Sequence, residues 1–187
     1  MGPQGGGEGK VGKEDEMDVN HTFVTSDYHF RDWTFFGGAL AESTKEEERQ
    51  HIELWNSVVG KDDLVLYIGD FCDGGVGDLE ELSKKLNGRK VLIKGNHDEL
   101  GDEWYRCAFE DVASELRIDE LNLRVIHVKE DAKNLQAGER IIYGHMHRRM
   151  SEQPPTTRDS ICVCAKWHGW KPITLAEAIR QMDAAKS

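Results

Sequence analysis

Residues 64–73 read LVLYIGDFCD, and this stretch sets the pattern that the rest of the chain repeats. An apolar run of strand length ends there in glycine and aspartate, as a buried strand does when it runs into a polar turn. Amphipathic segments alternate with runs of this kind, and the alternation predicts one α/β domain. The other runs of strand character are TFVTS (22–26), KVLIKG (90–95), LRVIHV (123–128) and RIIYG (140–144).

Three amphipathic segments are predicted to be helices, beginning at Ser43, Asp78 and Thr174. Each of these residues has a glutamate three positions later and an apolar face beyond it, which is the signature of a capping box. Gly60 and Asn87-Gly88 supply the expected ends of the first two helices. Glycine is typical of such ends because it readily adopts the left-handed conformation.

Residues 1–20 combine glycine with charged side chains and lack apolar periodicity, so we predict a disordered tail there and a single domain over residues 21–187. The four cysteines are too few and too unevenly spaced for a disulfide framework, and we interpret them as reduced thiols. No run reaches the ~18 apolar residues that a membrane span requires. We therefore expect a soluble, cytoplasmic protein with no membrane partner.

The formal net charge of −11 is spread along the chain. Residues 1–20 contain five acidic side chains and two lysines, so the predicted domain is itself acidic. Nucleic-acid binders gain most of their affinity from lysine and arginine, which argues against a long duplex as the main partner.

Side chains of the kinds that bind metal follow or lie within each strand-like run. Ligands in open α/β sheets bind beyond the carboxyl ends of the strands, so we expect these distant motifs to converge. Five of the eight histidines fall in such positions, which a random scatter does not explain. The candidates are Asp27 and His29 after the first run, Asp70 and Asp73 after the second, Asn96, His97 and Asp98 after the third, His127 in the fourth, and His145 and His147 after the fifth.

A mixture of carboxylate, imidazole and amide ligands suits Mn, Fe, Zn, Co or Ni better than Mg or Ca, which prefer oxygen ligands. An aspartate at the centre of the set permits a pair of ions about 3.5–4 Å apart. The sequence thus predicts two divalent transition-metal ions, with manganese favoured. These cations would also give an acidic protein the local positive charge that a phosphate ester needs.

The ordered series DxH, GDxxD, GNHD, a lone histidine and GHxH resembles the calcineurin-like metallophosphoesterase superfamily over about residues 22–180. A closer likeness is to small bacterial and phage phosphoesterases, through Trp55-Asn56, Leu86-Asn87-Gly88 and Lys171-Pro172-Ile173. The resemblance implies two mixed β-sheets packed face to face with flanking helices, a four-layer sandwich.

The resemblance also implies a role for each candidate residue. One metal would be held by Asp27, His29 and His147, the other by Asn96, His127 and His145, with Asp70 bridging them. A water or hydroxide shared by the ions would attack phosphorus in line. His97 would then protonate the leaving oxygen or stabilise developing charge, with Asp98 orienting its ring.

Two departures from the family pattern limit what can be carried over. His127 is followed by Val128-Lys129-Glu130 rather than by a small polar residue and proline, which makes it the least secure of the predicted ligands. The first block is followed by Arg31-Asp32-Trp33 instead of a second histidine and an arginine-proline pair. Substrate contacts in that loop therefore do not transfer.

Several residues near these motifs have two interpretations. Asp73 either supports a ligand or belongs to a plain turn. Cys162 and Cys164 with His168 suggest zinc, although alternating cysteines on a strand more often fill a core. Arginines beside the motifs either clamp a phosphate or lie on the surface, and aromatics after the first strand either stack a nucleobase or cover the core. These residues are Arg31, Arg148 and Arg149, and Trp33, Phe35 and Phe36.

Metal-dependent hydrolysis of small phosphate esters is the predicted function, with diesters favoured. A diester monoanion brings less negative charge to an acidic protein than a monoester dianion does. The alternatives are a phosphomonoesterase, a nuclease acting on single-stranded ends and a non-catalytic metal-binding scaffold. A nuclease would need a basic track that the sequence does not show, and a scaffold would not need His97 together with all seven ligands.

Overall fold

A computed structural model describes residues 17–32, 42–147 and 152–185 of the chain. These residues form a five-stranded and a four-stranded β-sheet with helices beside them. The prediction of an α/β sandwich of two mixed sheets with flanking helices is confirmed. Among the described residues, no helix combines the length and the apolar character needed to cross a membrane.

The first sheet has the order β4-β3-β2-β1-β9. Strands β1 to β4 run parallel, and β9 pairs antiparallel with β1. The parallel pairing brings the carboxyl ends of β1, β2 and β3 to one edge of the sheet. The strands are β1 (Thr22–Thr25), β2 (Leu64–Tyr67), β3 (Arg89–Ile93), β4 (Asp111–Ala113) and β9 (Ile173–Thr174).

The second sheet has the order β5-β6-β7-β8. Strands β5 and β6 form an antiparallel pair, whereas β6, β7 and β8 run parallel. The carboxyl ends of β6 and β7 thus lie side by side as well. The strands are β5 (Glu115–Ile118), β6 (Leu123–Ile126), β7 (Arg140–Tyr143) and β8 (Ser160–Cys162).

Both faces of the first sheet are buried, because residues in and just after β2 belong alternately to two different cores. Leu66 and Ile68 belong to the core between the sheets, together with residues of β6, β7 and β8. Val65 and Tyr67 point the other way, into a second core shared with helix residues. Burial on both faces explains why the run beginning at residue 64 is apolar throughout rather than alternating.

Four α-helices are present among the described residues: α1 (Glu42–Asn56), α2 (Val76–Lys85), α3 (Asp102–Tyr105) and α4 (Leu175–Ala184). The predicted cap at Thr174 is confirmed, because its hydroxyl accepts a hydrogen bond from the Glu177 amide. The predicted cap at Asp78 is wrong. Helix α2 begins at Val76, and the Asp78 carboxylate accepts a hydrogen bond from the Gly75 amide at 3.0 Å. The side chain of Ser43 lies outside the described residues.

Helix α1 contacts the turn before β3 through two of the sequence motifs, Trp55-Asn56 and Leu86-Asn87-Gly88. Trp55 is fully buried and its indole donates a hydrogen bond to the Asn87 carbonyl. Asn56 accepts from the Asn87 amide, and Asn87 in turn donates to the Val59 carbonyl. Gly88 follows with a φ of +91°, where a side chain would be strained. These motifs position β3 and have no direct part in the site.

The predicted boundary of the domain at residue 21 is too late. The side chains of Met17 and Val19 pack against the core between the sheets. The Val19 carbonyl also accepts a hydrogen bond from the Ala176 amide in α4. Both side chains gain free energy by leaving water, and this places residues 17–20 in the domain. Residues 1–16 of the predicted tail lie outside the described residues.

Candidate metal centre

The strand ends that converge are those of β1, β2 and β3 in one sheet and β6 and β7 in the other. The chain turns sharply just beyond them, and four candidate ligands adopt left-handed backbone conformations. Such conformations cost free energy in residues other than glycine and are concentrated at functional sites. The four residues are Asp27, His29, Asp70 and His145, with φ values of +59°, +47°, +58° and +70°.

A first cluster is formed by Asp27, His29, Asp70 and His147, whose ligand atoms all lie within 4.8 Å of one another. The Nε2 atoms of His29 and His147 are 3.0 Å apart. His29 Nε2 lies 3.4 Å from Asp70 Oδ2, and His147 Nε2 lies 3.3 Å from Asp27 Oδ1. Two imidazole nitrogens and two carboxylates thus point at one position.

The hydrogen bonds around this cluster fit a cation at that position. His29 Nδ1 is 2.9 Å from Asp73 Oδ2 and donates to it, which leaves the lone pair of Nε2 facing the cluster. Asp27 Oδ1 is buried and has no hydrogen-bond partner among the described residues. A buried carboxylate oxygen without a donor is costly, and a bound cation removes that cost. The residues present therefore fit a metal ion.

A second cluster contains Asp70, His127 and His145. His127 Nε2 lies 3.3 Å from Asp70 Oδ2 and 3.2 Å from Asn96 Oδ1. Its Nδ1 donates to the Ile68 carbonyl at 2.8 Å, so the Nε2 lone pair again faces the cluster. Asp70 belongs to both clusters, as a bridging carboxylate would.

All the predicted ligands are brought together by the fold, although they come from five separate segments. The unusual residues after His127 do not displace it, because its ring is buried at the end of β6. Six of the predicted ligands belong to the two clusters, and the amide oxygen of Asn96 contacts the second one. The ligands are Asp27, His29, Asp70, Asn96, His127, His145 and His147.

Charge is strongly coupled within the clusters when no ion is bound. Burial alone would lower the pKa of His127, but its hydrogen bond with Asp70 and the charges of Asp27 and Asp70 raise it to about 9. Burial alone would raise the pKa of Asp70, yet contacts with His127 and His29 hold it near 2. In the metal-free protein a proton on His127 therefore occupies the place of a cation.

Metal binding should consequently release protons at pH 7, because a ligating imidazole must be neutral. His127 is protonated below about pH 9 in the metal-free protein, so the apparent affinity is expected to rise as the pH increases from 7 towards 9. Calorimetric titration in two buffers of different ionisation enthalpy measures the number of protons released. Heats that are identical after correction for dilution, with no dependence on the buffer, would contradict this prediction.

His97 lies beside the clusters and is held by a different acid from the one predicted. Its Nδ1 is 3.0 Å from Asp73 Oδ1, whereas the other oxygen of Asp73 accepts from His29. The prediction that Asp98 orients the ring is wrong, and the open question about Asp73 is answered. Asp73 supports a candidate ligand and the free histidine at the same time.

Asp98 has a structural role in the described site. Its buried carboxylate accepts hydrogen bonds from three backbone amides, those of Asp70, Phe71 and Gly95. Burial raises its pKa, and these hydrogen bonds oppose that shift. These three hydrogen bonds join the turns after β2 and β3, and among the described residues no hydrogen bond links Asp98 to the His97 ring.

Two glycines, which are the first residues of the GNHD and GHxH motifs, allow the backbone to approach the carboxylates of Asp70 and Asp27. A Cβ atom at Gly144 would lie 2.7 Å from both Asp27 Oδ2 and Ser26 Oγ. A Cβ atom at Gly95 would collide with Asp70 Oδ1. Both contacts are far shorter than van der Waals distance, so only glycine fits at either position. Their place in the sequence motifs is thus explained by packing around the candidate ligands.

Arg31 is not available as a phosphate clamp. Its guanidinium group forms ion pairs with Glu48 in α1 and with Asp78 and Glu81 in α2, at 2.8–3.2 Å. These contacts fix the turn after His29 to the two helices. The other proposed phosphate and base contacts, at Arg148, Arg149, Trp33, Phe35 and Phe36, lie outside the described residues.

The cysteine pair does not form a zinc site with His168. The His168 ring donates from Nε2 to the Cys162 carbonyl, and Cys162, Cys164 and His168 form no candidate metal group among the described residues. The thiol of Cys164 instead lies 3.1 Å from Asp27 Oδ2. Sequence reasoning missed this contact, and the only signal for it was the alternation of two cysteines on a buried strand.

Comparison with known proteins identifies the family. The model of the calcineurin-like phosphoesterases matches residues 21–159. The chain belongs to this family. The range matched by the calcineurin-like phosphoesterase family includes every candidate ligand and His97.

Proteins of similar sequence occur in archaea and in phages. An uncharacterized protein of Methanocaldococcus jannaschii is 26% identical over 180 residues, which cover 91% of this chain and 96% of the relative. The gene 66 protein of Mycobacterium phage L5 is 37% identical over 84 residues, 43% of this chain and 41% of the phage protein. A solved protein of unknown function from Aquifex aeolicus shares the fold, with a TM-score of 0.61 and 18% identity, over 83% of this chain and 96% of that structure.

Proposed function

We propose that this protein hydrolyses small phosphate esters, preferably diesters, with two divalent transition-metal ions held by the two clusters. The observation that carries the proposal is the position of Asp70, whose carboxylate belongs to both groups of candidate ligands. When bound, two cations would neutralise the charge of the phosphate and lower the pKa of a water molecule between them.

The chain's own ligands are assigned by cluster. Asp27, His29 and His147 would hold one ion, and Asn96, His127 and His145 the other. Both His29 and His127 are locked by hydrogen bonds from Nδ1, so their Nε2 atoms would be the ligand atoms. A donor set that mixes imidazole, carboxylate and amide groups favours Mn, Fe, Zn, Co or Ni, and we propose manganese first.

His97 would donate a proton to the leaving group. Asp73 holds its Nδ1, which leaves Nε2 as the atom that can carry a proton towards the leaving oxygen. The ring is about one-third exposed, so substrate can reach it.

A cleft beside the second cluster supports the preference for diesters. It has a volume of about 380 Å³, and its wall includes both Asn96 and His127. The remaining lining consists of the apolar Ile126 and Val128, the acidic Glu115 and Asp131, and Gly95, Ser114 and Lys94. The Lys94 ammonium group already donates to the Leu100 carbonyl and to Asp102. The two carboxylates therefore disfavour a further phosphate charge more than an uncharged second ester group. We propose a small phosphodiester as substrate and no long duplex as partner.

A pair of chromogenic substrates tests the substrate preference. We expect kcat/KM for bis-nitrophenyl phosphate to equal or exceed that for nitrophenyl phosphate at one fixed metal concentration, because the cleft accepts the second ester group. A more than about tenfold preference for the monoester, equivalent to about 1.4 kcal/mol in transition-state binding, would make the protein a phosphatase. Repeating the comparison with Mn, Zn, Co and Ni shows whether the preference depends on the metal.

A further inference from the structure

We infer that Cys164 is a positioning residue of the metal centre, whose thiol holds the Asp27 carboxylate in the orientation that presents Oδ1 to the metal. This inference rests on the proposed function, since it requires that Asp27 binds an ion. It gives Cys164 a role other than zinc binding.

The two oxygens of Asp27 have different surroundings. Oδ2 accepts a hydrogen bond from the Cys164 thiol at 3.1 Å and another from the His145 amide at 2.9 Å. Oδ1 has no hydrogen-bond partner among the described residues and lies 3.3 Å from His147 Nε2. Two donors on one oxygen thus fix the rotation of the carboxylate and direct the other oxygen into the first cluster.

A thiol is well suited to this position because it is a weak, neutral donor. Asp27 and Cys164 are both buried, with exposed fractions of 3% and 0%. An arginine or lysine there would compensate the carboxylate charge and compete with the metal. The thiol supplies direction and leaves the negative charge for the ion, in the way that groups behind a ligand commonly tune a metal site.

Backbone contacts between the sheets hold Cys164 in place. Cys164 pairs with Ser26 in an isolated parallel bridge, and the Ala165 amide donates to the Ser26 carbonyl at 3.0 Å. Ser26 directly precedes Asp27, so the thiol and the carboxylate are positioned by the same pair of strands. Cys162 is equally buried and lies 3.3 Å from the Cys164 sulfur, and it forms no hydrogen bond with Asp27 among the described residues.

This difference between the two cysteines provides a matched set of variants. Cys164→Ala and Cys164→Val both remove the donor, the first leaving space and the second filling it, whereas Cys164→Ser keeps a donor. Cys162→Ala removes a thiol of equal burial that does not contact Asp27. Each metal-free protein is titrated with Mn²⁺ by calorimetry, and its thermal unfolding is measured in parallel to confirm that it is folded.

We expect Cys164→Ala and Cys164→Val to weaken one of the two Mn²⁺ binding steps by roughly 10–100-fold, the usual loss when a group that orients a ligand is removed. Cys164→Ser and Cys162→Ala should remain within about threefold of the wild type. Equal affinities for Cys164→Ala, Cys164→Val and the wild type would overturn the inference alone. A wild-type protein that binds no Mn²⁺, Zn²⁺ or Co²⁺ would overturn the proposed function as well.

Discussion

Replacing Asp70 by alanine should give the largest loss of activity of any single substitution in this protein. Its Oδ2 lies 3.4 Å from His29 Nε2 and 3.3 Å from His127 Nε2, so one carboxylate serves both clusters. Without it, both proposed ions would lose a ligand, and the repulsion between them would no longer be screened. We expect fewer than one ion per chain and a fall in kcat/KM of about 10³-fold or more, since a metal supplies several kcal/mol of transition-state stabilisation.

His127→Ala is the matched comparison, because this residue belongs only to the second cluster. It should lose less metal and less activity than Asp70→Ala. Elemental analysis of purified protein and steady-state kinetics with bis-nitrophenyl phosphate measure the two effects together. The opposite ranking would mean that Asp70 is not the bridge and that the two clusters have been divided wrongly.

Replacing His97 by alanine should lower the rate of hydrolysis without removing metal from the protein. His97 is not a predicted ligand; its Nδ1 donates to Asp73, and its ring lies edge-on against that of His29, with the centroids 4.8 Å apart. We expect both ions to remain and kcat to fall by roughly 10²–10⁴-fold, the usual contribution of a positioned acid or base. The fall should be smaller for nitrophenolate esters, because a good leaving group needs little protonation.

His51→Ala serves as the control for this experiment, since His51 stacks on Trp170 at 3.9 Å and lies outside both clusters. Its metal content and turnover should stay near those of the wild type. Turnover of His97→Ala close to the wild-type value would remove His97 from the mechanism. Equal losses with good and poor leaving groups would assign it to charge stabilisation instead of proton transfer.

Much of the site could be predicted from the sequence because parallel strands bring their carboxyl ends to one edge. That rule is enough to bring Asp27, Asp70 and His145 together although they come from distant segments. It also places His127 correctly, in spite of the unusual residues that follow it. The fold class was predictable for the same reason, since buried apolar runs alternating with amphipathic segments admit few arrangements.

The details beyond the strand ends could not be predicted in this way. Asp73 and Asp98 both lie near His97 in sequence or space, and which of them meets the ring depends on how the turns after β2 and β3 are bent. Asp70, between the strand and Asp73, has a left-handed conformation that sequence spacing does not predict. The contact between Cys164 and Asp27 joins two segments that follow strands of different sheets. The two residues are 137 positions apart in the sequence, so sequence spacing does not predict the contact.

The number of ions needed for activity tests whether Asp70 bridges a two-ion site. Metal-free protein is titrated with Mn²⁺, and hydrolysis of bis-nitrophenyl phosphate is followed together with the metal content of each sample. Two ligand clusters sharing Asp70 predict that activity reaches its plateau at two bound ions per chain. Full activity with one ion per chain, or with none, would contradict the account.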